Sequence, residues 1–226
     1  MMQVDRKIDY VDLHTVYPTE PLVSPTYTID TIVLSQETVR MEQMRNYRNL
    51  WLTMGLKADF PYIRLKKAGE GIMMSDTPME RNTNRYFIQK ANGDVIIFGL
   101  GLGLVILPLL KKENVKSILV VELYQDLIDM VEPILKKHDT ENKLKVIQGD
   151  CFDIHNSIPK EKKFDVVYGD IWISICTDNY EEMKTLTKNW KNRINRDNPN
   201  AFIDHWMKDY LKIEIVKDKR NSYKYW

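Results

Sequence analysis

The sequence predicts an α/β fold in which a mostly parallel sheet lies between two layers of helices, and three observations support that prediction. A short apolar run, Val95–Phe98, leads directly into glycines at every second position. Three later apolar runs each end in an acidic residue. The segments between these runs place apolar residues at helical spacing, and strands that alternate with helices are typical of parallel α/β sheets.

The first strand and the turn after it are predicted to approach a ligand closely. Val95–Phe98 is too short for a buried helix and is rich in β-branched residues, which favours a buried parallel strand. The following segment, Leu102–Lys112, is predicted to be a helix. Glycine in such a turn lets the backbone approach a nucleoside cofactor, because no Cβ stands in the way. The spacing is G-x-G-x-G, whereas the dinucleotide pattern G-x-G-x-x-G would need glycine where Leu104 stands.

Each of the three later strands ends in an acidic residue. These strands are Ser117–Glu122, Lys143–Asp150 and Phe164–Asp170. Because the carboxyl ends of parallel strands meet at one edge of a sheet, the three acids are expected to share a ligand crevice with the glycine turn. Glu122 follows Gly103 by nineteen residues, where a carboxylate can accept hydrogen bonds from both ribose hydroxyls.

With these residues in place, the segment of residues 69–173 resembles a class I S-adenosylmethionine-dependent methyltransferase. It is most similar to the spermidine synthase-like branch of that superfamily. The apolar Ile97 before the turn fits that branch, as does the hairpin around Gly71–Ser75 with a short helix after it. The resemblance implies a Rossmann-like methyltransferase fold and S-adenosylmethionine as the cofactor.

The resemblance also implies roles for single residues. The glycines would line the methionine and ribose moieties, Glu122 would hold the ribose, and Asp150 would meet the adenine amino group. Asp170 would lie beside the sulfonium, where it would orient or deprotonate an acceptor, or else serve only a structural purpose. The predicted cofactor-binding residues are Gly99, Gly101, Gly103, Glu122, Leu123, Asp150, Cys151 and Asp170, and the predicted catalytic residue is Asp170.

Two departures from known patterns bear on the reaction. The polyamine synthases carry a second aspartate three residues after the first, and this sequence has Ile173 there. The signature [DN]-P-P-[YF] of amino-methyltransferases is also absent, since residues 169–172 read Gly-Asp-Ile-Trp. The sequence therefore favours methyl transfer to another kind of acceptor. Aminopropyl transfer, lysis or hydrolysis of S-adenosylmethionine, and cofactor binding without catalysis remain as alternatives.

Composition limits the classes of partner. The 226 residues are 43% hydrophobic and have a formal net charge of +1, which favours a packed globular protein and gives no global electrostatic case for nucleic acid or membranes. A small-molecule acceptor is expected. A nucleic-acid substrate would need a basic face, such as one that joins residues 184–196 to residues 217–224. Two cysteines, Cys151 and Cys176, are too few for a disulfide scaffold or a structural zinc site, and no metal is expected. A cytoplasmic protein is expected, and a homo-oligomer is an open alternative.

Residues 1–68 are predicted to form an N-terminal β/α extension to a cofactor-binding domain of residues 69–226. Within the extension, Lys7–Leu13 and Tyr27–Leu34 are predicted to pair as strands, and Gln36–Met54 is predicted to be a helix whose apolar face is core. A hairpin is predicted to turn at the glycines between residues 62–65 and 69–74.

Further helices and one more strand complete the prediction. A helix with Pro78 at its first position is expected to lie over the crevice and to turn Arg81, Asn84 or Arg85 toward the methionine carboxylate. Packing helices are predicted over residues 125–138 and from residue 178 onward. Residues 201–206 are predicted to form a fifth strand. Glu214–Val216 is at most one short strand, so the sheet is expected to be shorter than the usual seven strands.

Overall fold

A computed structural model describes the backbone of residues 10–222 and the side chains of residues 10–217. It contains an antiparallel sheet and a parallel sheet. The antiparallel strands are Leu22–Val23 (β1), Tyr27–Val33 (β2), Pro61–Lys67 (β3) and Gly71–Ser75 (β4). The parallel strands are Gly93–Phe98 (β5), Val115–Glu122 (β6), Leu144–Gln148 (β7), Val166–Gly169 (β8) and Phe202–His205 (β9). The α-helices are Gln36–Arg45 (α1), Pro78–Lys90 (α2), Ile106–Leu110 (α3), Gln125–Lys136 (α4), Thr177–Trp190 (α5) and Lys208–Ser222 (α6).

The parallel sheet has the strand order β7-β6-β5-β8-β9 and is flanked by helices. This confirms the predicted Rossmann-like α/β fold. The chain runs outward from β5 in both directions, first through β6 and β7 and then through β8 and β9. In such sheets ligands bind outside the carboxyl ends of the strands, at the point where the strand order reverses. The fold therefore provides a crevice at the end of β5.

The core around β5 explains why this strand is so strongly apolar. Val95–Phe98 is completely buried, since both of its neighbours are parallel strands and helices cover both faces. Phe98 packs against Trp190 of α5, with ring centroids 4.9 Å apart. On the side of α2, Phe87 stacks on Tyr168 of β8 at 3.7 Å. Each such side chain contributes about 1.5–3 kcal/mol through burial, so the sheet edge is held rigidly.

The beginning of the described chain differs from the prediction. Residues 10–12 form no strand and Leu13–Thr15 is a 3-10 helix, so the predicted strand over Lys7–Leu13 is wrong at its described end. Residues 7–9 lie outside the described residues. The Asp12 side chain accepts a hydrogen bond from the His14 N–H, and this cap stabilises the helical turn instead of an extended chain. The predicted strand over residues 27–34 is confirmed as β2, and its partners are β1 and β3.

The first helix is shorter than predicted and is mostly exposed. The Asn46 side chain and backbone both donate to the Glu42 carbonyl, so α1 ends at Arg45 rather than at Met54. The predicted core face is also wrong for most of its residues, because Met44 and Met54 are both 65% exposed. Of that face, Val39 is buried.

The predicted hairpin is confirmed, and it belongs to the antiparallel sheet. β3 pairs with β4, with a shift of register between Leu65 and Lys66. The four-stranded sheet therefore continues to Ser75, past residue 68, where the sequence places the end of the extension. The division into two domains stays a prediction.

Two helices and the last strand complete the comparison. Helix α3 begins at Ile106 rather than at Leu102, because positive φ at Gly101 and Gly103 keeps the chain in a turn. The predicted fifth strand is confirmed as β9, parallel to β8. Glu214–Val216 lies within α6, so the alternative of a short strand there is wrong.

The side chains of residues 218–226, part of the predicted basic face, lie outside the description. In the part of the chain that the structure describes, no helix has the length and apolar character needed to cross a membrane.

Candidate functional site

A cavity of about 340 Å³ lies at the carboxyl ends of the parallel strands. The register explains why the predicted residues meet there. Phe98 is level with Val121 on one side and with Gly169 on the other. The next residues of these strands, Gly99, Glu122 and Asp170, therefore form one row at the edge of the sheet, and all three line the cavity. The β3–β4 hairpin of the antiparallel sheet closes it from the opposite side through Met73 and Met74.

Two of the three glycines line the cavity and need to be glycine. Gly99 has a φ of 98°, and a Cβ there would collide with the backbone carbonyl of Asp170. Gly101 has a φ of 50°, and a Cβ there would collide with the Met74 sulfur. That sulfur accepts a hydrogen bond from the Leu102 N–H at 3.2 Å. Protein atoms therefore occupy both Cβ positions, and β4 lies directly over the turn.

The third glycine has a different environment. Gly103 is not among the residues that line the cavity, although the sequence places it against the cofactor. A Cβ at this position would collide with the Leu135 side chain of α4. The close packing of the turn against α4 accounts for glycine there without a ligand.

Glu122 is buried, and backbone hydrogen bonds already occupy about half of the acceptor positions of its carboxylate. One carboxylate oxygen accepts from the Leu100 N–H at 2.9 Å and the other from the Tyr124 N–H at 3.0 Å. Burial raises the pKa of this carboxyl, and these backbone donors oppose the shift. A carboxylate has about four lone-pair positions, so each oxygen retains one for a ligand hydroxyl. The neighbouring Leu123 lines the rim and is half exposed.

Asp150 and Cys151 line the cavity beyond β7. Asp150 accepts a hydrogen bond from the Phe152 N–H at 2.8 Å, which fixes its carboxylate in the turn. Cys151 is buried, and burial raises the pKa of its thiol to about 12. Because the thiolate is the reactive form, this cysteine is not a nucleophile near neutral pH.

At the opposite end of the row, Asp170 is accompanied by a second acid that the sequence analysis missed. Glu80 of α2 is buried and lines the same cavity. Burial raises the pKa of Asp170 to about 7. Burial, and then the nearby charge of Asp170, raise the pKa of Glu80 to about 8. Neither carboxyl forms an ion pair with any described residue.

The other polar residues of α2 do not face the cavity. Arg81 pairs with Asp76 at 3.1 Å, and Asn84 accepts a hydrogen bond from the Tyr168 hydroxyl at 2.7 Å. The buried Nε of Arg85 has no partner and lies outside the cavity lining. None of these three residues lines the cavity, and the expectation that one of them meets a methionine carboxylate stays a prediction. Helix α2 does lie over the crevice, as predicted, but it presents Glu80 there, and no local pattern in the sequence singled out that residue.

Two tryptophans complete the lining next to the acids. The ring nitrogen of Trp172 donates to Glu182 at 2.6 Å, and that of Trp206 donates to Thr83 at 2.9 Å. Each indole is anchored through its only polar atom. What remains for a ligand is the apolar ring surface.

The residues present fit S-adenosylmethionine. Gly99 and Gly101 line the cavity with backbone that carries no Cβ, Glu122 has acceptor positions left for hydroxyls, and the cavity is within the range of small-molecule sites. Among residues 10–217, no group of three or more His, Cys, Asp or Glu side chains could hold a metal ion.

Comparison with known proteins gives one family match. The model of the spermine/spermidine synthase domain matches residues 73–197, more than half of the chain. A search of curated proteins gave no match.

Solved structures resemble the fold at low identity. A methyltransferase from Podospora anserina with bound S-adenosylhomocysteine is 15% identical at a TM-score of 0.44, over 76% of this chain and 70% of that one. Spermidine synthase from Thermotoga maritima is 14% identical at 0.40, over 60% and 50%. An S-adenosylmethionine-dependent methyltransferase from Clostridium acetobutylicum is 15% identical at 0.37, over 53% and 44%. The chain thus spans half or less of the length of the last two proteins.

Proposed function

The chain belongs to the spermine/spermidine synthase domain family, and on that premise we propose that it binds S-adenosylmethionine and transfers its methyl group to a small-molecule acceptor. The observation that supports this most is the row of Gly99, Glu122 and Asp170 along one edge of the parallel sheet, inside a single cavity. A nucleoside cofactor needs a close backbone approach and a carboxylate for its ribose, and the glycine backbone and the Glu122 carboxylate in the cavity lining support the proposal on both counts.

Different residues of the cavity contact the adenosine and the methionine portions of the cofactor. Glu122 accepts hydrogen bonds from the ribose hydroxyls, and Asp150 accepts one from the adenine amino group. Leu123 and Cys151 pack around the adenosine, and Gly99 and Gly101 let the backbone approach the methionine portion.

Bound S-adenosylmethionine supplies an already activated methyl group, so the protein contributes mainly alignment of the acceptor. Asp170 orients the acceptor and takes its proton; with a pKa of about 7 it can do so near neutral pH.

Calorimetric titration with S-adenosylmethionine and S-adenosylhomocysteine tests the cofactor. Micromolar binding is expected for the wild type. It should be lost in Gly101→Val and Glu122→Ala and retained in Glu161→Ala, a control that removes an exposed glutamate that does not line the cavity. Absence of binding to both ligands by folded protein would contradict the proposal.

A second candidate, aminopropyl transfer, is favoured by one observation. The family's second fourth-strand aspartate is replaced by Ile173, but Glu80 brings another carboxyl to Asp170 from α2. Incubation with decarboxylated S-adenosylmethionine and a diamine distinguishes the two reactions. Release of methylthioadenosine indicates aminopropyl transfer, and S-adenosylhomocysteine formed from S-adenosylmethionine indicates methyl transfer.

A further inference from the structure

We propose that the Met74 side chain competes with the amino-acid portion of the cofactor for one place against the glycine turn, which makes Met74 a specificity-determining residue of the cavity. A nucleoside ligand without an amino-acid portion binds without displacing this side chain, whereas a ligand that carries one has to move it. The inference rests on the proposed function, because it concerns the same cavity. It deepens that function by naming the residue that sets the preference between the two kinds of nucleoside.

The position of the Met74 sulfur is the first argument. The sulfur accepts a hydrogen bond from the Leu102 N–H at 3.2 Å and fills the space where a Cβ of Gly101 would stand. Both Met74 and Gly101 line the cavity. In the proposed function the methionine portion of the cofactor lies against Gly99 and Gly101. The ligand and the Met74 side chain cannot occupy this place together, since non-bonded carbon atoms in contact lie about 3.5–4 Å apart.

The strand that carries Met74 is the second argument. The register of β4 against β3 passes from Ile72 directly to Met74, so Met73 is an extra residue with no opposite partner. An extra residue of this kind, a β-bulge, redirects side chains and is frequent beside binding sites. Successive residues of a regular strand point to opposite faces, but Met73 and Met74 both line the cavity. The backbone of β4 therefore directs Met74 toward the turn.

The anchoring of the turn is the third argument. The Leu100 N–H donates to the Glu122 carboxylate at 2.9 Å. The Leu102 carbonyl accepts from the Tyr17 hydroxyl at 2.9 Å. These hydrogen bonds hold the backbone on both sides of the middle glycine. Met74, in contrast, has an unbranched side chain with three rotatable bonds, and its sulfur is a weak acceptor. When a ligand enters, the Met74 side chain is therefore the part that moves.

The competition has a direct consequence for selectivity. S-adenosylhomocysteine and S-adenosylmethionine both continue past their sulfur with an amino-acid chain, whereas methylthioadenosine ends in a methyl group. The longer ligands bind only to molecules in which Met74 has moved, so their apparent affinity is reduced by the fraction of such molecules. Methylthioadenosine does not carry this cost. Removal of the Met74 side chain should therefore improve binding of the longer ligands alone.

Calorimetric titration with S-adenosylhomocysteine and methylthioadenosine tests the proposal on four proteins: the wild type, Met74→Ala, Met74→Leu and Ile72→Ala. Met74→Leu keeps a side chain of similar volume but has no acceptor for the Leu102 N–H. Ile72→Ala is the matched control, because Ile72 belongs to the same strand, is half exposed and does not line the cavity. Thermal unfolding confirms that each variant is folded.

We expect Met74→Ala to bind S-adenosylhomocysteine about three- to tenfold more tightly than the wild type, as for the loss of one competing hydrogen bond. Its affinity for methylthioadenosine should change by less than about twofold. Met74→Leu should lie between the wild type and Met74→Ala, since it retains the volume and loses the hydrogen bond. Ile72→Ala should bind both ligands as the wild type does.

A stability measurement without ligand tests whether the sulfur lies on the turn. Gly101→Ala adds a methyl group that collides with the Met74 sulfur, and Met74→Ala removes that sulfur. The double variant should therefore unfold about 2–4 °C higher than the sum of the two single shifts. Strictly additive shifts would overturn this position of the sulfur, and the proposal with it.

The titrations separate this inference from the proposed function. Weaker binding of S-adenosylhomocysteine by Met74→Ala, or an equal change for both nucleosides, overturns the competition and leaves the proposed function standing. If neither nucleoside binds to any of the four folded proteins, the proposed function fails and the competition fails with it. If the wild type binds methylthioadenosine alone and Met74→Ala binds both ligands, the competition is supported in its strongest form.

Discussion

The acidic residues at the two ends of the cavity differ in their hydrogen-bond partners. At the end formed by β6 and β7, Glu122 and Asp150 each accept backbone N–H hydrogen bonds. At the end formed by β8 and α2, Asp170 and Glu80 have no hydrogen-bond donor or cation among the described residues. The first end is organised in advance for a ligand of fixed shape. The second retains unsatisfied electrostatic potential, which is typical of the place where chemistry occurs.

The strongest test of the organised end is Gly101→Val. At a φ of 50° the new side chain is strained and collides with Met74, so either valine or the displaced methionine fills the cavity. We expect the affinity for S-adenosylmethionine to fall by more than about 100-fold, because steric exclusion outweighs single hydrogen bonds of about 1 kcal/mol. Calorimetric titration measures this affinity.

Gly69→Val is the matched control for backbone strain. Gly69 also has a positive φ, of 79°, but a Cβ there meets nothing within 4 Å. This variant should lose about 1–3 kcal/mol of stability, because valine is strained at positive φ, and should keep its affinity. If both variants lose affinity equally, backbone strain, and not occupation of the cavity, explains the lower affinity of Gly101→Val.

The next largest effect is expected for Glu122→Ala. The change removes the proposed ribose acceptor and leaves the N–H groups of Leu100 and Tyr124 without their partner. Buried donors without a partner cost about 1–3 kcal/mol each, so both the free energy of unfolding and the affinity for S-adenosylmethionine should fall, the affinity by roughly 10–100-fold. Chemical denaturation and calorimetry on the same sample measure the two losses. Unchanged affinity in a destabilised protein would remove Glu122 from the ligand site.

The unsatisfied end should show the opposite effect on stability. Glu80 has its pKa raised from an ordinary value of 4.5 to about 8, so the folded state holds its proton while the unfolded state ionises. The stability of the wild type should therefore fall as pH rises from about 4.5 through about 8. Glu80→Gln cannot ionise and escapes this loss.

We expect Glu80→Gln and wild type to unfold alike near pH 5. Near pH 9 the variant should be more stable by on the order of 5 kcal/mol, a penalty in the wild type to which the charge of Asp170 contributes. Denaturant unfolding at the two pH values measures the difference. A variant that is less stable at pH 9 would show that Glu80 has a stabilising partner.

The smallest effect on binding is expected for Gly103→Ala. The added methyl group collides with Leu135 of α4 rather than with a ligand. Overpacking of this kind costs about 1–3 kcal/mol of stability, whereas the affinity for S-adenosylmethionine should change by less than about threefold. Thermal unfolding and calorimetry check the two parts, and a large loss of affinity would return Gly103 to the ligand site.

The organised end could be predicted from the sequence because its signals are local. A buried strand is predicted by its apolar run, and the strand itself fixes its last residue, such as Glu122 in β6, at the sheet edge. The unsatisfied end depends on which face of α2 meets β8. That is set by the packing of Phe87 on Tyr168, far apart in sequence, so local pattern drew attention to Arg81 and missed Glu80.

The N-terminal errors have the same origin. The helical pattern after Arg45 was interrupted by the local hydrogen bonds of Asn46, which compete with continuation of the helix. Around Leu13 the alternating pattern predicted a strand, but the structure has a helical turn that is capped by Asp12. Side chains that bond to their own backbone thus overrode a periodicity that was otherwise consistent.

The measurement that tests the central contrast most directly is calorimetric titration with methylthioadenosine, which has the adenosine portion but neither the amino acid nor the sulfonium. If the end formed by β6 and β7 binds adenosine and the end formed by β8 and α2 does not, wild type and Glu80→Gln bind this ligand equally, and Glu122→Ala binds it at least about tenfold more weakly. Equal losses in Glu80→Gln and Glu122→Ala, or no binding to the wild type, would contradict the division of the cavity into these two ends.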